Sequence, residues 1–132
     1  MKPTIASFFC CLVLLFRGPT FAQEATPHLD QDDVWLLVMN IPEVLEVEAR
    51  KGCPSLEQHP DGPDRMYVLV RNTCPAIGNG TLGNYTVDLR SGRLWFDIET
   101  DKVIDSDRLR RLRRILVSRQ ELRARCGAQR QR

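Results

Sequence analysis

Apolar residues recur along this chain with a helical period near both ends and a strand period between them. From Asp30 to Arg50, Val34, Trp35, Leu37, Val38 and Ile41 return every three or four positions, and Val44, Leu45 and Val47 continue the face. That spacing lines one side of an α-helix. Asp30 is placed to cap it, and Asp32 and Asp33 follow in the first turn, where acids complement the helix dipole. Pro42 interrupts the run, and proline suits the first turn of a helix, so the spacing predicts a short helix, a kink near Asn40–Ile41 and a second helix. Glu43, Glu46 and Glu48 point outward, and Lys51-Gly52 closes the segment with a cation and a glycine.

The middle of the chain reads as sheet. Met66–Asn72 has a continuous apolar centre, which predicts an inner strand or one covered on both faces. Tyr85–Leu89 and Leu94–Ile98, joined by Arg90-Ser91-Gly92-Arg93, form the densest run of β-branched and aromatic residues, and their Ser-Gly connection predicts a tight hairpin. In its second arm Leu94, Phe96 and Ile98 alternate with Trp95, Asp97 and Glu99, so one face is apolar and the other, apart from Trp95, is acidic. Cys53–Arg65, with three prolines, and Thr73–Gly83, rich in glycine and asparagine, read as loops. A last helix starts at a cap from Asp105 or Ser106, runs to about Arg125 and ends at Gly127. Leu109, Leu112, Ile115, Leu116 and Leu122 make its narrow apolar stripe, and arginines cover the rest. The expected fold is a single α+β domain: a helix kinked near Pro42 and a C-terminal arginine-rich helix, both packed on a three- to four-stranded antiparallel sheet.

The start of the chain carries a different signal. Lys2, the apolar run Ile5–Phe16, the breaker Arg17-Gly18-Pro19 and the small residues of Thr20-Phe21-Ala22 compose a secretory signal peptide over residues 1–22. The run of about a dozen residues falls short of the roughly 20 that span a bilayer. The expected product is secreted or periplasmic, with a mobile leader over 23–29, the domain over 30–126 and a disordered tail over 127–132.

Removing the signal leaves 17 basic and 17 acidic residues, yet they are segregated. Gln23–Asp107 carries a balance of −9 and Arg108–Arg132 a balance of +9. An acidic body ending in a basic segment is the main electrostatic feature. Of the three remaining cysteines, Cys53 and Cys74 each precede a proline and flank the first expected strand, so they are the preferred disulfide. Closing such a loop contributes about 3 kcal/mol in the chain-entropy picture. Cys126 is then free or paired between molecules. His28 and His59 are the only histidines and no CxxC spacing occurs, so neither a structural metal nor a cofactor is expected.

The arginine helix is the strongest candidate for function, through Arg108, Arg110, Arg111, Arg113 and Arg114. It could meet an acidic protein partner, nucleic acid or an anionic lipid surface. Against these stands a purely structural reading, with the stripe packed on the sheet and the arginines solvated or paired with the acidic body. Neutral overall charge and export weigh against nucleic acid, and the lack of an aromatic anchor weighs against a membrane. The acidic row Asp88, Asp97, Glu99, Asp101 and Asp105 reads as a solvated face, since nothing specifies a cleft or a calcium loop. His59 lacks a nucleophile held on a rigid turn, and Trp35 and Trp95 read as core or sheet-face aromatics. Asn79-Gly80-Thr81 and Asn84-Tyr85-Thr86 match the N-glycosylation pattern.

The segment Asn-Tyr-Thr-Val-Asp-Leu-Arg-Ser-Gly-Arg-Leu-Trp, over Tyr85–Trp95 and the residue before it, resembles the terminal hairpin of PepSY-type exported domains. Asp30–Arg71 matches that family only in outline, and the arginine helix, the cysteine-bearing loops and the Pro42 break depart from it. The resemblance implies a helix on an antiparallel sheet and a non-catalytic domain that inhibits or regulates an exported enzyme. The expected function is therefore a binding or inhibitory module acting through an acidic protein partner. The alternative is a polyanion-binding protein for nucleic acid or anionic lipid.

Overall fold

A capping box starts the fold in the computed structural model, which describes residues 28–74, 80–97 and 102–129. The Asp30 carboxylate accepts from the Asp33 N–H at 2.9 Å, and Asp33 accepts in return from the Asp30 N–H at 3.3 Å. Two of the N–H groups that every helix start leaves unpaired are thus satisfied. Helix α1 (Gln31–Met39) follows, then the expected break at Asn40–Ile41, then α2 (Pro42–Ala49) with proline in its first turn. Leu37, Val38, Ile41 and Val44 are fully buried along the shared inner face, and Glu43, Glu46 and Glu48 are exposed. The stop after α2 differs in detail. Lys51, not Gly52, takes the left-handed conformation (φ 62°), while a Cβ on Gly52 would lie 2.4 Å from Val47 Cγ1. Glycine is needed there for close approach rather than for backbone freedom.

The sheet has five strands rather than three or four: β1 (Pro54–Pro60), β2 (Arg65–Asn72), β3 (Gly80–Asp88), β4 (Leu94–Phe96) and β5 (Val103–Ile104). They pair antiparallel in chain order, as a meander. The two additional strands are the edges. β1 lies in the stretch that reads as a loop, because its prolines sit at the ends of an edge strand, where they disturb no ladder, and it half-buries only alternate residues. β3 begins at Gly80, so glycines expected in a loop belong to a strand with a bulge opposite Val70/Arg71. There Gly83 leaves room for the Tyr85 hydroxyl, which would lie 2.7 Å from an added Cβ.

Register places Met66, Val68, Val70, Tyr85, Val87 and Leu94 on one face, all buried, and this face meets the helices. Tyr67, Leu69, Thr86 and Trp95 occupy the other face, half-buried. β2 is the inner strand its apolar centre predicts. Phe96 packs edge-on against Tyr85 at 5.5 Å between ring centres. Cys53 and Cys74 form the expected disulfide, with 5.0 Å between their Cα atoms. Buried Asn72 stitches the two ends, its Oδ1 accepting from the N–H groups of Cys53 and Cys74. Leu29, placed in the leader by its sequence, is a core residue whose N–H donates to the Leu89 carbonyl.

The hairpin connection is longer than two residues. β3 ends at Asp88 and β4 begins at Leu94, with Gly92 at φ 68°. Asp88 Oδ1 organises the turn by accepting from the N–H of Arg90 and from both the N–H and the hydroxyl of Ser91. The last element, α3 (Asp107–Gln129), starts as expected at Ser106, whose hydroxyl accepts from the Leu109 N–H. It runs through Gly127 instead of stopping there. Only Leu109 and Leu116 of the expected stripe are buried, whereas Ile115 is 63% and Leu122 61% exposed. Among the described residues no helix is long and apolar enough to cross a membrane. The expected signal peptide, Asn79, Ile98, Glu99 and Asp101 lie outside the described residues.

Candidate functional site

At 3.6 residues per turn, the arginines of α3 fall on three sides of the helix. One side faces α1. Arg108 donates to Asn40 Oδ1, Arg119 pairs with Asp33, and Arg123 lies 3.3 Å from Asp30. Gln120 completes the clamp by donating to Asp33 Oδ2 at 2.6 Å. The Asp33 carboxylate is wholly buried, so these donors replace the water it has lost. The cap of α1 and the middle of α3 are thereby one polar joint.

The second side faces the β3–β4 turn. Arg110 and Arg113 each donate to one oxygen of Asp105, at 2.8 and 2.6 Å, and Arg110 also pairs with Asp107. Hydrogen bonding from Arg110 holds the Asp105 carboxyl below the usual carboxylate range, and Asp105 in turn raises Arg110. Across the gap, Arg90 Nε donates to Asp64 at 2.9 Å, on the oxygen that also lies 2.9 Å from His28 Nε2. Burial raises the Asp88 carboxyl. The hydrogen bonds from Ser91 and Arg90 and the Arg90 charge outweigh this and leave it below its ordinary value. The Arg113 stem packs at Gly92, where an added Cβ would lie 3.1 Å from Arg113 Cγ. Between turn and helix lies an open groove of about 840 Å³, lined by Arg90, Ser91, Arg110, Arg113, Arg114, Val117 and Ser118.

The third side faces outward. Arg111 and Arg125 are exposed there and make no ion pair among the described residues, while Arg114, exposed and likewise without an ion pair, stands at the groove. Ile115 and Leu122, one heptad apart, stand exposed among them, and the unpaired thiol of Cys126 lies on the same line.

Of the five arginines singled out from sequence, the structure gathers Arg110, Arg113 and Arg114 at the groove. Arg111 stays on the outer face and Arg108 is committed to Asn40. Arg90 and Ser91 join the groove from a turn whose sequence reads only as architecture. The described members of the acidic row are not gathered: Asp88 organises the turn, Asp97 accepts from the Thr86 hydroxyl and Asp105 anchors two arginines. A smaller cavity of about 260 Å³ on the open sheet face is lined by Arg65, Thr86, Trp95 and Asp97. His59 lies on the edge strand beside Tyr67, and Trp35 is 47% exposed on α1 rather than in the core. Among the described residues no cluster of three or more His, Cys, Asp or Glu is placed to hold a metal ion. Comparison with protein-family models, curated proteins and solved structures finds no match to this chain.

Proposed function

We propose that this protein is an exported, non-catalytic binding or regulatory module that recognises an acidic surface of a protein partner with the outer face of α3. The observation carrying this reading is the composition of that face. Arg111 and Arg125, without ion pairs among the described residues, flank the exposed side chains of Ile115 and Leu122. Arginine is enriched at protein interfaces, whose core is apolar, whereas affinity for nucleic acid comes chiefly from neutralising many phosphates, more than two free arginines supply. The disulfide is compatible with export. The PepSY-like hairpin adds a direction: the partner is an exported enzyme that this module restrains.

The test is affinity capture from the secreting host's envelope or medium with the full chain and with its Arg111→Glu/Arg125→Glu variant. A specific captured protein that is lost with the variant supports the reading, and unchanged recovery sinks it. The rival, a polyanion binder, requires affinity for nucleic acid or anionic vesicles that falls steeply with salt.

A further inference from the structure

The structure assigns a ligand class to the groove between the β3–β4 turn and α3: we infer that it holds a carboxylate-bearing, extended acidic peptide segment. The inference rests on the proposed reading of α3 as a partner-binding element, and it names the part of the partner that is gripped.

Three features of the groove carry it. The first is preorganisation. A guanidinium has five N–H donors, and the internal ion pairs take only one from Arg90, one from Arg113 and two from Arg110. Asp64 and Asp105 therefore fix the orientation of these side chains while leaving most donors for a ligand. Much of the ordering cost of a long side chain is met before binding. Arg114, with no ion pair among the described residues, supplies an uncommitted guanidinium beside the Ser118 hydroxyl.

The second is the charge balance. Four arginines stand against the carboxylates of Asp64, Asp88, Asp105 and Asp107, a formally even balance without the large positive excess of a polyanion site. Recognition then falls to the guanidinium donors left over, which suits one or two carboxylates. A phosphate-dense polymer needs a site that neutralises many charges at once.

The third is shape and lining. A volume of about 840 Å³ is within the size of ligand sites, and the groove is open along one side, as a passing segment requires. Val117 gives an apolar patch for side-chain methylenes. Among the described residues no aromatic side chain lines the groove, so a nucleobase would find nothing there to stack on.

The probe is a fluorescently labelled oligoglutamate peptide titrated against the full chain at physiological ionic strength, with inorganic phosphate and a single-stranded oligonucleotide as competitors. Arg114→Ala/Ser118→Ala alters the groove without breaking an internal ion pair, while Arg111→Ala/Arg125→Ala alters only the outer face. The groove assignment requires the first variant to weaken peptide binding roughly tenfold or more, the size of one lost charge-assisted contact. It requires the second to weaken it about threefold or less. Loss with the outer variant alone overturns the groove and leaves the outer-face reading standing. Equal loss with both variants, or no peptide binding, also overturns the groove. Tighter groove binding by the oligonucleotide or by phosphate overturns the acidic-peptide assignment.

Discussion

Single residues in this protein are constrained mostly by close approach and burial, and such constraints leave little trace in a linear pattern. Gly52 and Gly83 are required by Val47 and Tyr85, which lie beside them only in the folded chain. Gly92 is different, because the positive φ it adopts is what a glycine beside a serine in a hairpin turn announces. Tyr85 shows the energetic side. Burial, with the nearby Glu43 charge, pushes its phenol up to about 12. The folded state thus binds that proton more tightly than the unfolded chain, whose tyrosine titrates near about 10. The stabilisation is complete below about pH 10 and disappears as pH rises towards about 12. In a Tyr67→Phe variant, which leaves Tyr85 as the one tyrosine, a spectrophotometric titration should show the phenol ionising well above pH 10, together with unfolding. Ionisation of Tyr85 near pH 10 without unfolding would contradict the burial.

Among the elements, those with a strong internal period were legible and those defined by neighbours were not. The kinked helix pair, the inner strand β2 and the start of α3 follow from apolar spacing, Pro42 and Ser106. β1 and β5 were not legible, since an edge strand has one neighbour and tolerates the prolines and polar residues that mark loops. The stripe of α3 was half legible. Spacing identifies Leu109 and Leu116, but it cannot show that Ile115 and Leu122 are turned away from the core. Nor could it show that α3 is anchored through polar groups. The joint of Asp33 with Arg119 and Gln120 gives the element-scale prediction. Asp33→Ala removes a helix-start acceptor and leaves two donors without their acceptor, at a cost of about 2–4 kcal/mol. Arg119→Ala destabilises as well, because it strips a charged donor from the wholly buried Asp33 carboxylate. Denaturant unfolding of the two variants checks both losses. An Asp33→Ala midpoint equal to that of the unaltered chain would remove the joint from the account.

At the scale of the whole molecule, the segregation of charge resolves into a division of labour. The acidic body does not simply neutralise the basic helix. It takes Arg108, Arg119 and Arg123 on one side and Arg110 and Arg113 on the other, and it leaves Arg114 unpaired at the groove and Arg111 and Arg125 facing outward. Counting charges along the chain reveals the segregation but not the division, because the latter depends on which side of α3 meets α1 and which meets the turn. The most direct test compares two variants with the same loss of charge: Arg111→Gln/Arg125→Gln and Arg119→Gln/Arg123→Gln. Partner capture is measured at a temperature where both remain folded. The outward variant is predicted to lose the partner with an unchanged unfolding midpoint, and the inward variant to keep the partner while unfolding several degrees lower. Equal loss of capture by both variants, or loss by the inward one alone, would contradict a binding face on the outside of α3.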